Sequence, residues 1–230
     1  LSKREKQKAK QNAKLKIANK QKDEIISAIS HEIKNPIAII SGYTETILND
    51  EQMPQPMKIR FLKKIYSNAN KMSQIVDKLR LTLKLEEGKQ ELILIPCSMK
   101  KLIITCISDL KDKYKNREIL IQGDDITLKV DETLISMAIS NLIENALKYS
   151  EDEIIVNISD KSITIIDKGI GIEEKELEKI NQKFYRISNN GWNNSLGLGL
   201  FIVQSVLSLH NFTLKIDSVF KNGSQFSINY

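Results

Sequence analysis

The chain has no long apolar segment and only two cysteines. No apolar run approaches the roughly 20 residues that span a bilayer, and no secretory signal opens the sequence. Cys97 and Cys106 are nine residues apart, with no CxxC pair and no nearby His or Asp cluster. These absences exclude a membrane span within the chain and argue against a cysteine metal site. They predict free thiols in a reducing compartment.

The chain after residue 24 also has no excess of basic residues. Residues 1–24 hold nine Lys or Arg and three acidic residues, which accounts for the whole net charge of +6. The rest of the chain balances at 26 basic and 26 acidic residues, so we do not expect nucleic-acid binding. We interpret residues 1–24 as a basic helical lead-in, solvated or close to a membrane, that continues from a longer parent protein.

Two heptad patterns predict a helical hairpin at residues 25–87. Apolar residues recur every seven positions, each with a second position three residues later. The first helix has Ile26, Ile33, Ile40 and Ile47 with Ile29, Pro36 and Tyr43; the second has Leu62, Ala69, Val76 and Leu83 with Ile65, Met72 and Leu79. Pro54 and Pro56 separate the helices, and Gly88 ends the second. One hairpin cannot cover both seams, so we predict a homodimeric four-helix bundle.

A histidine lies on the outer face of the first helix. With Ile26 at heptad position a, His31 falls at position f, which is farthest from a partner helix. Asn35 lies one turn later on the same face, and Glu32 follows the histidine directly. The pattern fits an incidental surface histidine, and equally a reactive imidazole presented to solvent.

After Gly88 the pattern changes to alternating short strands and helices. It predicts an α+β domain at residues 98–230 behind a linker at residues 88–97. The predicted elements are a strand at Glu91–Ile95, a helix at Ser98–Asn116, strands at Glu118–Ile121 and Ile126–Val130, a helix at Glu132–Tyr149, a hairpin at Ile154–Asp167, a short helix at Glu173–Ile180, a helix ending at Leu209, and a terminal hairpin. We expect His210 to be structural, with its imidazole meeting the last helical carbonyls.

Three polar segments of this domain have the composition of a phosphate site. Asn141, Asn145 and Lys148 share a helix face, which suits a hydrated Mg²⁺ and polyphosphate oxygens. Asp167–Gly171 follows an apolar strand, and Gly197–Leu200 opens a helix whose first N–H groups can bind phosphate. Each alone also fits a solvated face or an ordinary turn. No Lys-Ser/Thr follows the last glycines and no strand precedes them, which excludes a Walker loop and a dinucleotide fingerprint.

In this order, the segments resemble the histidine protein kinases of two-component signalling over nearly the whole chain. Ser30–Pro36 resembles the family's phospho-acceptor box and Asn141–Tyr149 its N box. Asp167–Gly171 and Gly197–Leu200 resemble its glycine boxes, and Lys183–Arg186 its F box. The resemblance implies a dimeric helical hairpin followed by a two-layer ATP-binding sandwich.

For the hairpin, the resemblance implies phosphotransfer chemistry. His31 would accept the γ-phosphate of ATP, with Glu32 as general base on the other imidazole nitrogen. The phosphoryl group would pass to an aspartate of a separate response regulator, and Asn35 would orient water for dephosphorylating that regulator. The parent protein would lie at the cytoplasmic face of the cell membrane, with its sensor and membrane parts outside this chain.

For the second domain, the resemblance implies ATP and Mg²⁺ as cofactors. Asn145, helped by Asn141, would bind Mg²⁺; Asp167 would hydrogen-bond the adenine amino group, and Tyr149 would cover the ring. The residues implied to bind ATP are Asn141, Asn145, Lys148, Tyr149, Asp167, Gly169, Gly171, Ile172, Phe184, Arg186, Gly197, Leu198, Gly199 and Leu200.

The segment before Gly197 departs from the family pattern. Ser195 and Leu196 stand where Gly-Thr or Gly-Ser is common. We therefore expect the lid at residues 183–195 to cover phosphate less flexibly, with weaker ATP affinity or turnover. The departure keeps open an alternative function, a nucleotide-binding scaffold or phosphatase without productive autokinase activity.

Overall fold

The computed structural model describes residues 26–27, 29–88, 90–111, 113–185, 187 and 196–230. The basic lead-in, Arg186 and residues 188–195 of the expected lid, including Trp192, lie outside the described residues. The chain divides into two compact units, and along the main part of the chain the division falls between Arg80 and Leu81.

The first unit is built on the predicted helical hairpin. Helix α1 is continuous over residues 29–49, with residues 26–27 also helical, and helix α2 spans Gln55–Glu86. The Pro54 carbonyl accepts from the amides of Met57 and Lys58 at 2.9 and 3.1 Å, which starts α2 directly after the proline. The rings of Tyr43 and Phe61 lie 4.8 Å apart between centroids, so α1 and α2 pack against each other.

The second unit is a two-layer α/β sandwich, as predicted. Its elements are β1 (Ile95–Ser98), α3 (Met99–Lys111), β2 (Ile119–Gln122), β3 (Thr127–Val130), α4 (Glu132–Tyr149), β4 (Ile154–Ile158), β5 (Ser162–Asp167), α5 (Glu174–Leu177), α6 (Gly199–Leu209), β6 (Thr213–Val219) and β7 (Gly223–Asn229). Five strands form a sheet in the order β2-β4-β5-β7-β6, with β2 and β4 parallel and the other neighbours antiparallel. A separate antiparallel pair joins β1 to β3. Helix α4 contacts α3, α6 and β5, and α6 contacts β6, so these helices form the second layer.

Helix α4 is central because a wide face of it is apolar. Its buried apolar residues are Leu134, Ile135, Ala138, Ile139, Leu142, Ile143, Ala146 and Leu147. On the sheet, alternate residues of β4 are buried, as are Ile163 and Ile165 of β5. Burying a side chain of this size stabilises the fold by about 1.5–3 kcal/mol, so this interface holds the helices on the sheet.

His210 joins the start of α4 to the end of α6. Its Nε2 accepts from the backbone amide of Asp131 at 3.0 Å, so its Nδ1 carries the proton and donates to the Val206 carbonyl at 2.8 Å. The predicted contact with a late carbonyl of the helix is confirmed. The link to Asp131 adds to it, because the Asp131 carboxylate also caps α4 by accepting from the Leu134 amide at 3.0 Å.

The first strand and the first helix of this domain were predicted with the wrong extent. The first strand is Ile95–Ser98, not Glu91–Ile95, because its register pairs Ile95 with Val130, while the Ile93 amide donates to the Asp131 carboxylate. Helix α3 ends at Lys111, not Asn116. Beyond it, residues 113–116 form turns, Asn116 has a positive φ of 66°, and Arg117 donates to two backbone carbonyls, so this segment is not helical.

The predicted short helix at Glu173–Ile180 is one turn, α5, followed by turns as far as Phe184. Within the described part of the chain, no helix combines the length and apolar character that crossing a membrane requires.

Candidate functional site

His31 lies on α1 with its side chain exposed, as its heptad position predicts. Asn35 lies one turn further along and is half-buried, less exposed than the heptad predicts. The reason is its position three residues after Glu32 and next to Pro36, both of which are buried. The exposed imidazole can reach a ligand in solvent, and the Asn35 amide lies on the flank of the same face.

Glu32 is 4% exposed, although it adjoins the exposed histidine. Heptad position g borders the apolar seam, which accounts for its burial. Its Oε1 has no hydrogen-bond partner within the described residues. Buried polar atoms in folded proteins usually have a partner, so this oxygen is free to accept a hydrogen bond or a proton from a neighbouring group.

In the second unit, Asn141 is aimed at the start of α6. The side chain is buried, and its Nδ2 donates to the Met137 carbonyl at 2.8 Å, which leaves Oδ1 as the end of the amide with no hydrogen bond to another described residue. That oxygen lies 3.4 Å from the position that a Cβ on Gly199 would occupy. An amide oxygen therefore faces the first turn of a helix with a small residue between them.

The first turn of α6 presents backbone N–H groups. The N-cap residue is Leu198, whose apolar side chain cannot accept from the amides of that turn. These amides and the positive end of the helix dipole favour an anion such as phosphate. The preceding Gly197 accepts a hydrogen bond from the Phe184 amide at 3.0 Å, which ties the predicted F box to this glycine segment.

Asn145, Lys148 and Tyr149 continue the Asn141 face toward the end of α4, and all three are half-buried. The Lys148 ammonium lies 5.8 Å from the centroid of the Tyr149 ring. The predicted face of Asn141, Asn145 and Lys148 therefore lies along α4, and the Tyr149 ring adjoins it.

Asp167 ends β5 and is only 6% exposed. Its Oδ1 accepts from the Gly169 amide at 2.8 Å. Burial raises the pKa of the Asp167 carboxyl above its usual range, and hydrogen bonds from the amides of Gly169 and Ser224 oppose that rise. A buried acceptor with fixed orientation suits recognition of a donor group such as an exocyclic amine.

The loop after Asp167 crosses the end of α4 at Gly169. A Cβ on Gly169 would lie 2.1 Å from the Tyr149 carbonyl oxygen, and the same oxygen accepts from the Ile170 amide at 3.2 Å. Glycine is required here because the two backbones touch. The structure thus brings Asp167 and Gly169 to the Tyr149 end of α4, and Gly199 and Leu200 to the Asn141 end.

Gly171, Ile172, Phe184 and Leu198 also lie in the described loops and helix start, whereas Arg186 does not. One pair of side chains at this site was not predicted from the sequence: the hydroxyls of Ser218 and Ser224, which lie 2.9 Å apart beside the loop after Asp167. Ser218 is a single serine in a strand of alternating exposure, and nothing in the sequence marks it as part of a site. Only its position five residues before Gly223, near a turn, could have drawn attention to it.

Two family models match the chain. Residues 21–88 match the His Kinase A (phospho-acceptor) domain. Residues 130–230 match the histidine kinase-, DNA gyrase B- and HSP90-like ATPase. The first range contains His31 and Glu32, and the second contains α4, the Asp167 loop and α6.

Curated relatives match this chain over most of its length. The phosphate regulon sensor protein PhoR of Pseudomonas aeruginosa is 31% identical over 218 residues, covering 90% of this chain and 49% of PhoR. The sensor-like histidine kinase SenX3 of Mycolicibacterium smegmatis is 27% identical over 217 residues, covering 90% of this chain and 56% of SenX3. The chain spans about half the length of the curated relatives it matches.

Solved structures share the fold. Acinetobacter baumannii histidine kinase AdeS matches with a TM-score of 0.63 at 20% identity, over 86% of this chain and 95% of that one. Histidine kinase ThkA, solved in complex with the response regulator protein TrrA, matches with a TM-score of 0.59 at 20% identity, over 98% of this chain and 65% of that one.

Proposed function

The chain belongs to the sensor histidine kinases of two-component signalling, and from that membership we propose that it is a kinase core. ATP bound by the second unit would phosphorylate His31, and the phosphoryl group would pass to an aspartate of a response regulator. One observation carries the proposal. Polar groups suited to the two ends of a nucleotide lie along one helix, with Asn141 facing α6 and Tyr149 meeting the Asp167 loop.

The spacing along α4 supports a nucleotide as the ligand. Asn141 and Tyr149 are eight residues apart, or about 12 Å along an α-helix. This separation fits phosphates at the α6 end and a base at the Asp167 end. The Asp167 carboxylate would accept from the adenine amino group, Tyr149 would cover the ring, and Lys148 and Arg186 would offset phosphate charge.

The donor set on α4 fits Mg²⁺ held jointly with phosphate oxygens. Asn141 Oδ1 is the end of its amide with no hydrogen bond to another described residue, and Asn145 lies one turn further on the same face. In the described residues no three His, Cys, Asp or Glu side chains cluster as a metal cage, and Mg²⁺ is commonly held by one or two side chains together with substrate phosphates. Asn145 and Asn141 would hold the ion, which would offset charge on the transferring phosphate.

Phosphoryl transfer would use two neighbouring residues of α1. The lone pair of one His31 ring nitrogen attacks the γ-phosphorus, an N–P bond forms, and the bond to the ADP oxygen breaks with its electron pair leaving on ADP. The proton on the other ring nitrogen passes to Glu32. Support comes from the exposed imidazole and from the buried Glu32 oxygen that has no partner within the described residues.

A response regulator is the proposed partner. ThkA was solved with a regulator, and that structure covers 98% of this chain. We assign to Asn35 the orientation of water for dephosphorylating the regulator, because it flanks the His31 face. Water would then hydrolyse the phosphoaspartate of the regulator. The same protein could therefore both phosphorylate and dephosphorylate the regulator.

A homodimer through α1 and α2 is the proposed assembly. The heptad residues Leu62, Val76 and Leu83 are 49%, 55% and 59% exposed in the single chain. Large apolar side chains repeating along one helix face favour burial against a second copy. We assign residues 25–87 to dimerisation and phosphotransfer, residues 88–97 to a linker, residues 98–230 to ATP binding, and residues 1–24 to the end of a signal-transmitting segment.

This assignment places the chain on the cytoplasmic side of a membrane-bound parent protein. The basic residues of segment 1–24 support that position, since they are attracted to an anionic membrane surface.

The test of kinase activity is incubation with Mg²⁺ and γ-labelled ATP. The whole chain is compared with His31→Gln and Asn145→Ala, and the label is tested for acid lability and alkali stability. We expect acid-labile, alkali-stable label that is lost in both variants. His31→Gln should still bind ADP, whereas Asn145→Ala should bind it more weakly in Mg²⁺. No label on a chain that binds nucleotide would contradict the kinase proposal and support the scaffold alternative.

A further inference from the structure

The Ser218 hydroxyl joins the β6–β7 hairpin to the loop after Asp167. Its Oγ accepts from the Ile172 amide at 2.8 Å, donates to the Gly223 carbonyl at 3.0 Å, and lies 2.9 Å from Ser224 Oγ. A hydroxyl carries one proton. With that proton directed to Gly223, the Ser224 hydroxyl donates to Ser218, and all three contacts are satisfied at once.

The same loop meets the hairpin turn through backbone atoms. The Lys221 amide donates to the Ile170 carbonyl at 2.7 Å. A Cβ on Gly171, whose φ is +62°, would lie 2.1 Å from the Val219 carbonyl oxygen, so the two backbones are in contact. The β6–β7 turn therefore contacts the loop at residues 170–172. Of these contacts, only the hydrogen bond from Ile172 to Ser218 uses a side chain, so a substitution of Ser218 can remove it.

Ser218 holds the Ile172 end of the loop and contacts a residue beside Asp167. Its Oγ accepts from the Ile172 amide and lies next to the Ser224 hydroxyl. Ser224 pairs with Asp167 across the sheet, and its backbone amide, together with the Gly169 amide, binds the Asp167 carboxylate. Removing the Ser218 hydroxyl would leave the Ile172 amide without this acceptor and loosen the loop at that end, while the backbone contacts of Gly169 and Ile170 remain.

We propose that Ser218 is a positioning residue for adenine recognition, which sets the loop at residues 169–172 against the Asp167 carboxylate. The inference rests on the proposed ATP site. Because Ser218 acts through the loop and not on the phosphates, its loss should weaken adenine binding and base selectivity while leaving the rate of phosphoryl transfer at saturating ATP unchanged.

The experiment measures ADP and GDP binding to the whole chain by calorimetry in Mg²⁺. It compares the wild type with Ser218→Ala, Ser218→Thr and Ser227→Ala. Ser227 is the matched control, because it is a buried serine of β7 whose hydroxyl lies 3.2 Å from Thr164 Oγ within the sheet.

We expect Ser218→Ala to weaken ADP binding by up to about tenfold, because nucleotide binding would then have to order a loop that the hydrogen bond to Ile172 no longer holds. GDP binding should change little, so the preference for adenine over guanine falls. Ser218→Thr keeps a hydroxyl and should restore the affinity to within about twofold, and Ser227→Ala should bind like the wild type. Loss of both nucleotides in equal proportion, or an equal effect of Ser227→Ala, would show a structural role only and overturn the proposal.

A wild-type chain that does not bind ADP would count against the proposed ATP site. A wild type that binds ADP, with Ser218→Ala binding it equally well, would overturn the role of Ser218 alone. If Ser218→Ala does not fold, hydrogen exchange in the wild type decides. The Ile172 amide should be protected without nucleotide, and exchange at the rate of an exposed amide would refute its hydrogen bond to Ser218.

Discussion

Asn141 and Gly199 face each other across the α4–α6 interface, with the Asn141 Oδ1 atom 3.4 Å from the place of a Cβ on Gly199. The relationship joins two segments that are 58 residues apart in the chain. Asn141 supplies an oxygen that suits a cation, and Gly199 lies where the N–H groups of α6 suit an anion. A Mg²⁺–phosphate pair would satisfy both at once.

We predict that Gly199→Ala lowers Mg²⁺–ADP affinity by at least about tenfold without lowering stability. The added methyl group would stand at van der Waals distance from the Asn141 oxygen and cover it from the ligand. Alanine also favours the helix by up to about 1 kcal/mol relative to glycine. Calorimetry with ADP and thermal unfolding measure the two effects. The control is Gly42→Ala in α1, where a Cβ meets nothing within 4 Å; unchanged ADP affinity in Gly199→Ala would contradict the prediction.

The raised pKa of Asp167 makes a prediction about stability and pH. The carboxyl has a higher pKa in the folded chain than the usual value of 3.8, mainly because it is buried. The folded state therefore holds the proton more tightly, and the stability from this group is present below pH 3.8 and lost as pH rises through the folded pKa. Asp167→Asn stays neutral, so its free energy of unfolding relative to wild type should increase over that window.

Urea unfolding of both proteins across this pH range measures the difference, and a difference that does not vary with pH would refute the prediction. The same variant should bind ADP more weakly at neutral pH. The Asn side chain keeps one oxygen for the Gly169 amide but presents a donor in place of the second carboxylate oxygen, which opposes the adenine amino group.

Periodic patterns predicted most of the elements but not the contacts between distant segments. Helix α4 was predictable because its buried face repeats at helical spacing over 18 residues. The strand at Ile95–Ser98 was misplaced because Leu92–Ile95 is the more apolar segment, whereas the pairing with β3 that fixes the strand is not visible in the sequence. Ser218 could not be recognised, since its partner Ile172 lies 46 residues away in sequence. The burial of Glu32 agrees with its heptad position, but the heptad does not predict that Oε1 lacks a hydrogen-bond partner in the described residues.

The exposed seam of α2 predicts that Leu62→Glu weakens the dimer. A charge at a position expected in the bundle interior would have to be desolvated there, so we expect the dimer dissociation constant to rise by at least about tenfold. Sedimentation equilibrium measures that constant. Lys63→Glu is the control because residue 63 is exposed at the adjacent, outward heptad position. Equal dimer strength in Leu62→Glu and wild type would count against assembly through this seam.

Substitution of Glu32 should affect stability and catalysis in opposite ways, because the buried carboxylate lowers stability but is proposed to accept the imidazole proton. A buried carboxylate oxygen with no partner in the described residues costs more stability than a neutral amide of the same shape. Glu32→Gln should therefore be at least as stable as the wild type in urea unfolding.

As a glutamine cannot take the imidazole proton, the rate of His31 phosphorylation at saturating ATP should fall about 10²–10⁴-fold, while ADP affinity stays unchanged. Glu32→Asp, which keeps the acid on a shorter side chain, should recover part of the rate. A Glu32→Gln variant that labels His31 at the wild-type rate would remove Glu32 as the base and leave its burial as a feature of packing alone.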